Sequence, residues 1–258
     1  MNLCKSLVAV AVTASTLVIA ASVPAQAFSF TTNFTGTPPK KDIKLNSVKF
    51  DGNLITDFSL INRADIKEND LYTGGNTGAA SSDRGDKASG IQQEVATNAS
   101  IVSSLGNLNL NNIIDTEDSG SFKINLFFEK AIDTLFLWER GMNSKLGIQA
   151  IDAAGTLLGT FLEVDSSTFG YAGYGIDTKE IDGSQKVGSL GINLKDLGVN
   201  KAAIAGIQVV SKANYNGPDF KIVGAKTESV PEPAAMAGLG LAVGALVSTR
   251  RRKATQAS

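Results

Sequence analysis

The sequence predicts an all-β body, a sandwich of jelly-roll type, for this 258-residue chain. Three observations predict it. Short runs with period-two alternation or β-branched and aromatic character recur about ten times. Turn signals such as Asp51-Gly52 and Asn216-Gly217 separate them, at spacings of roughly 8–12 residues. One short helical stretch stands among them. An immunoglobulin-like sandwich is the alternative, and no repeat of fixed period points to a propeller or solenoid.

The elements follow in order. Residues 28–34, aromatic and threonine-rich, form the first strand, which Gly36-Thr-Pro-Pro39 breaks. Residues 43–50 alternate imperfectly through Ile43, Leu45, Val48 and Phe50; Asp51-Gly52-Asn53 turns the chain, and 55–61 returns as the second arm of a hairpin. From 69 to 90 the composition shifts to Gly, Ser, Asn, Thr and Asp, predicting a long loop, functional or a flexible excursion. Its Arg84-Gly85-Asp86 tripeptide is a chance match to adhesion ligands. The helix is 98–105, with Asn98 as N-cap and Gly106 as a left-handed stop. Residues 122–128 place Phe122, Ile124, Leu126 and Phe128 on one face. Further strands are 133–140, 146–151, 156–164 (after the Asp152-Ala-Ala-Gly155 turn), 171–176, 187–194, 204–211 and 220–223. A one-turn helix at 195–197 separates two of them.

Both ends carry addresses. Lys5, a run of apolar or small residues over 7–21, and Ala25-Gln26-Ala27 as a small-x-small cleavage site mark residues 1–27 as a secretory signal peptide. Cleavage leaves Phe28 as the first mature residue. No twin arginine precedes the run, so the Sec translocon and signal peptidase are the implied partners. At the other end Val230-Pro231-Glu232-Pro233 is a stiff step, because each proline fixes its own φ and pushes its predecessor out of the helical region. The apolar run 234–247 would rise about 21 Å as a helix, against a hydrocarbon core of about 30 Å. Extended through Ser248 and Thr249, and with local thinning of the bilayer, it inserts as a transmembrane helix, 234–249. Arg250, Arg251, Arg252 and Lys253 hold that end on the cytoplasmic side.

These three parts in this order resemble the PEP-CTERM sorting signal. The resemblance implies that the membrane protease exosortase recognises Val230, Pro231, Glu232 and Pro233, that 234–249 is a temporary hold, and that Arg250 to Arg252 stop transfer. An ordinary single-pass tail anchor is the alternative. The domains are then 1–27, 28–229 and 230–258. The body's phrases LYTGGNTGAASSDRGD, LNNIIDTEDSGSF, LFLWERGMNS and YNGPDFKI resemble cyanobacterial exosortase-dependent surface proteins. That likeness supports the address and the fold class, and carries over no catalytic residue.

Composition excludes several chemistries. From Phe28 to Pro233 there are 19 Lys and Arg against 25 Asp and Glu, a net charge of −6, which gives no general attraction to nucleic acid or anionic lipid. The chain has no histidine, and its single cysteine, Cys4, lies in the signal peptide. The mature body therefore offers no thiolate, no imidazole, no zinc site of the usual ligands and no disulfide. Carboxylates, hydroxyls, amides, lysines and a hard-metal option remain.

Two clusters are candidate sites. Asp115, Glu117 and Asp118 are the densest acidic group beside a strand, and calcium takes six to eight oxygens from such loops. Jelly-roll and galactose-binding-like domains often hold a structural calcium near a strand end, so the analogy points the same way. The spacing is not that of an EF-hand, and solvated turn carboxylates are the plainer alternative. Asp83 and Asp86 form a weaker cluster of the same kind. Trp138, Glu139 and Arg140 are the candidate ligand-binding set, with the indole stacking on a sugar; a core tryptophan beside a strand-end ion pair is the competing reading. No nucleophile elbow, phosphate loop or metalloprotease motif occurs.

Three functions are consistent with the sequence. The first is an exported, exosortase-processed, noncatalytic surface or extracellular-matrix protein among extracellular polysaccharides. The second is a carbohydrate-binding module, for which a groove lined by Tyr171, Tyr174 and Trp138 is expected. The third is a glycan hydrolase using carboxylates alone, with a raised-pKa pair in its groove.

Overall fold

The computed structural model describes residues 27–74, 78 and 80–227. Ala25 and the sorting segment 230–258 lie outside the described residues, as does the rest of the predicted signal peptide before Ala27. Among the described residues no helix is long and apolar enough to cross a membrane.

In chain order the strands are β1 (Thr31–Gly36), β2 (Ile43–Phe50), β3 (Asn53–Ile55), β4 (Ile61–Asn69), β5 (Ala80–Arg84), β6 (Asn112–Thr116), β7 (Phe122–Ile132), β8 (Thr134–Arg140), β9 (Lys145–Ile151), β10 (Leu157–Asp165), β11 (Gly170–Ile176), β12 (Gln185–Asn193), β13 (Ile204–Ser211) and β14 (Asp219–Ala225). Helix α1 (Asn98–Leu105) lies between β5 and β6. The strands form three sheets: β1-β2-β3, β10-β9-β13-β7-β4 and β11-β12-β8-β14-β6-β5. The chain crosses between the two larger sheets at β4 to β5, β6 to β7, β7 to β8, β8 to β9, β10 to β11, β12 to β13 and β13 to β14. This is an all-β sandwich with one short α-helix among the described residues, and a single 3-10 turn at Ser166–Thr168.

The six-stranded sheet is the middle layer. On one face Leu135, Leu137, Ile192, Phe220 and Ile222 meet Ile124, Leu126, Ile148, Ile207 and Val209 of the five-stranded sheet. On the other, Phe136, Trp138, Val187 and Val223 meet Ile43, Leu45 and Val48 of the small sheet. A strand buried on both faces needs no polar side, which is why β8 reads as the unbroken run Leu135-Phe-Leu-Trp138 rather than as an alternation.

Several elements differ from the sequence reading. The hairpin at Asp51-Gly52 forms, with both residues at positive φ, but its return is the short β3, and the polar segment 61–69 joins a different sheet as β4. The predicted long loop contains β5, whose small polar residues Ser81 and Ser82 carry no strand signal. Arg84 folds back onto the carbonyls of Gly85, Asp86 and Ala88, so the Arg-Gly-Asp tripeptide is tied inward. The N-cap of α1 is Thr97, which forms a capping box with Ser100, while Asn98 accepts from the Ile66 amide instead. Gly106 is not left-handed; a Cβ there would meet the Ile61 carbonyl at 2.5 Å and the Val102 carbonyl at 2.6 Å, so close approach fixes the glycine. Residues 195–197 make a turn, not a helix.

Lys221 is fully buried beside Trp138, and its ammonium position donates to the Ser104 carbonyl, 2.5 Å away at the C-terminal end of α1, and to Asn107 Oδ1. Burial drives its pKa well below 10.5, with Lys44 adding to the shift. The folded state therefore binds fewer protons than the unfolded chain in the window below 10.5. Its contribution to stability is complete above 10.5 and is lost as pH falls towards the depressed folded value. Lys221→Met is expected to remove this dependence, flattening stability against pH by up to about 1.4 kcal/mol per unit on the alkaline side. Urea melts of both proteins across neutral to alkaline pH check it; parallel profiles would mean that Lys221 stays charged in the fold.

Candidate functional site

One end of the middle sheet is polar and open. The register pairs Arg140 at the end of β8 with Asp219 at the start of β14, and one step beyond the Phe220–Ile114 pair Asp219 stands next to Asp115 of β6. Ser81 of β5 faces Asp115, and Asp83 lies two residues along on the same face. Neighbouring strands thus carry three acids and one arginine on the face that, farther along, holds Trp138.

Arg140 organises the group. Its side chain is fully buried; Nη1 donates to Asp219 Oδ2 at 2.6 Å and lies 3.7 Å from Asp115 Oδ1, while Nη2 donates to Thr178 Oγ1 at 3.0 Å. Asp219 Oδ1 accepts from the Thr116 amide. Burial raises the Asp219 pKa, with Arg140 opposing, and burial with the Asp219 charge holds Asp115 well above the usual carboxylate range. Burial also lifts Asp83 to about 6; the neighbouring Arg84 amide eases this without reaching either oxygen in hydrogen-bond geometry.

Above this floor opens a pocket of about 360 Å³. Glu117 and Asp118 follow β6 into its rim, Asn143 comes from the β8–β9 connection, Asn216 and Gly217 from the turn before β14, and Glu180 and Ile181 from the β11–β12 loop. Tyr72 closes another side. Burial, then Glu180 and Glu94, raise Glu117 to about 7. The site draws on four separate stretches of the chain: Tyr72 and Asp83 from the first, Asp115 to Asp118 from the second, Arg140 and Asn143 from the third, and Asn216, Gly217 and Asp219 from the fourth.

The sequence candidates fare differently. Asp115, Glu117 and Asp118 all line the pocket, but the carboxylates that converge most tightly are Asp83, Asp115 and Glu180, with one oxygen of each within 4.8 Å of the others. Asp115 points into the sheet row, whereas Asp118 is exposed at the rim. Asp86 pairs with Lys40 instead of Asp83. The sugar platform of Trp138, Glu139 and Arg140 does not form. The indole is 1 % exposed and donates to Thr32 Oγ1 at 2.9 Å, as strand alternation puts it under the small sheet. Glu139 faces the opposite way, where it accepts from the Ser144 hydroxyl and the Met142 amide, and burial still pushes it up to about 8. Of the expected groove only Tyr171 is exposed; Tyr174 is buried.

Glu180 and Asp219 were not singled out from the sequence. Glu180 is one of several charged residues in a polar loop, and Asp219 after Pro218 reads as a turn residue; strand register sets Asp219 beside Asp115 and the β11–β12 loop brings Glu180 over them, neither of which a local pattern encodes.

The fold and site together define an all-β sandwich whose middle sheet ends in an acidic pocket. Comparison with known protein families, curated proteins and solved structures finds no match to this chain.

Proposed function

We propose that the chain is an exported, noncatalytic surface or extracellular-matrix protein, of jelly-roll type, released from or transferred across the inner membrane by exosortase. The observation that supports this most directly is how the body is tied at its ends. Phe28, the first residue after the predicted cleavage, exchanges two backbone hydrogen bonds with Gly191, at 2.9 and 2.8 Å, and stacks on Phe50 with ring centroids 3.7 Å apart. A Cβ on Gly191 would lie 2.0 Å from that ring, so the glycine makes room for it. At the other end the amide and hydroxyl of Thr227 both bond Asp133 Oδ1 at 2.9 Å. The first residue of the predicted mature chain and a residue shortly before the predicted sorting segment are thus both held to the sandwich, as a body of 28–229 would require. Cleavage after Ala27 turns the Phe28 amide into an ammonium that keeps its carbonyl partner and strengthens the bond.

Mass spectrometry of the protein from medium and envelope should give a mature chain that begins at Phe28 and lacks Arg250 to Ser258. Replacing Pro231 and Pro233 together should leave it in the inner membrane. An intact tail and an unchanged distribution in that double variant would sink the proposal.

The carbohydrate-module reading is weaker because Trp138 and Tyr174 are inside. The hydrolase reading has raised-pKa carboxylates in its favour. However, three carboxylate oxygens gathered within 4.8 Å of one another suit a cation, whereas glycoside hydrolysis needs a pair of carboxyl groups with room for a sugar between them.

A further inference from the structure

We propose that the end of the middle sheet is a binding site for a divalent cation of the calcium class, held by Asp83, Asp115 and Glu180. Two independent observations carry it. The first is spacing. Calcium–oxygen distances are about 2.3–2.6 Å, so ligands on opposite sides of one ion are up to roughly 5.2 Å apart. The three carboxylate oxygens fall within that limit of one another, from three separate chain segments: β5, β6 and the β11–β12 loop.

The second observation is Asp83 itself. It is 4 % exposed, and neither carboxylate oxygen has a hydrogen-bond partner among the described residues. Buried polar groups are nearly always satisfied, and an unpaired buried carboxylate is among the costliest exceptions. No ion pair to Asp83 forms among the described residues, although Arg140 favours its charged form from a distance. Arg140 serves Asp219 and Thr178, Lys40 spans Asp86 and Asp177, and Arg84 caps loop carbonyls. The donors are all hard oxygens, suited to calcium or magnesium and poorly suited to the softer metals. Ligands spread over two strands and a loop tolerate the irregular, higher coordination of calcium better than the tight octahedron of magnesium. Exposed Glu180 is the closing ligand, and buried Asp83 and Asp115 are the fixed ones. This inference does not depend on the sorting signals, since it concerns the folded body alone.

The test uses the full-length chain, purified and stripped with a chelator, with thermal melting and titration calorimetry as readouts. Calcium at about 100 times its Kd should raise the melting midpoint by roughly 5–10 °C. Magnesium should do less at the same concentration, and sodium at matched ionic strength should do nothing comparable. Asp83→Asn keeps the shape and removes the unpaired charge, so in chelator it should melt at or above the wild type, and calcium should add nothing further. Glu180→Gln alters only an exposed side chain, folds whatever Asp83 does, and should weaken calcium binding by at least about tenfold. A melting curve indifferent to calcium, an equal shift from magnesium or sodium, or calcium binding undiminished in Glu180→Gln would overturn the assignment and return these acids to protonated or solvated groups.

Discussion

Arg140→Met is expected to cost about 3–5 kcal/mol, the usual penalty for removing one partner of a buried ion pair. The methionine fills most of the apolar stem's space, so the loss is electrostatic. Asp219 loses a hydrogen bond of 2.6 Å, and Asp115 loses the cation 3.7 Å away, while both stay buried in one row with Asp83 nearby. Asp219→Asn in the same background removes the charge that Arg140 neutralises. The double variant should therefore be more stable than the sum of the two single losses predicts, with a coupling of about 2 kcal/mol or more, as contacting charged pairs show. Urea denaturation of the four proteins in chelator, where no bound cation can stand in for the arginine, completes the cycle. Additive losses would mean that Arg140 acts through packing against Thr178 and Val187 and not through the acids.

That arginine shows where legibility ended. The strand at 133–140 was plain from its residues, and so was its burial. Its role as the counter-charge of a four-strand row was not, because Asp115, Arg140 and Asp219 are brought together by register, at separations in sequence that no window spans. The strands from 122 onward were legible because one face of each meets a core. β4 and β5 were not, since Asn62-Arg-Ala-Asp-Ile-Lys-Glu and Ala80-Ser-Ser-Asp lie at sheet edges, where hydrogen bonds to β7 and β6 decide the conformation and side-chain pattern does not.

The site was half legible for the same reason. Asp115, Glu117 and Asp118 are adjacent and stood out as a local charge density. Asp83 was visible but attached to the wrong neighbour, Asp86, which turns out towards Lys40. Adjacent residues on a strand point to opposite faces, and a turn just after β5 separates Asp83 from Asp86, so closeness in sequence misleads there. The glycine at 106 was legible as a helix end for the wrong physical reason: the requirement is space beside the Ile61 carbonyl, not positive φ.

Trp138→Ala is expected to cost about 3–5 kcal/mol and to leave any glycan binding unaffected. The indole lies between the middle sheet and the small one, edge-on to Phe30 at 5.3 Å between centroids, with its N–H on Thr32 Oγ1 of β1. Truncation to alanine opens a cavity in the second core and removes the only side-chain hydrogen bond described between Trp138 and β1. The damage should therefore be local before it is global. Hydrogen exchange should speed first in β1, β2 and β3, while β7, β9 and β13, which pack on the opposite face of β8, keep their protection until global unfolding. Thr32→Val leaves the ring in place and strands the buried indole N–H, so it should cost only about 1–3 kcal/mol. A tryptophan serving as a sugar platform would give the reverse result: Trp138→Ala would lose retention on a polysaccharide column while melting at the wild-type temperature.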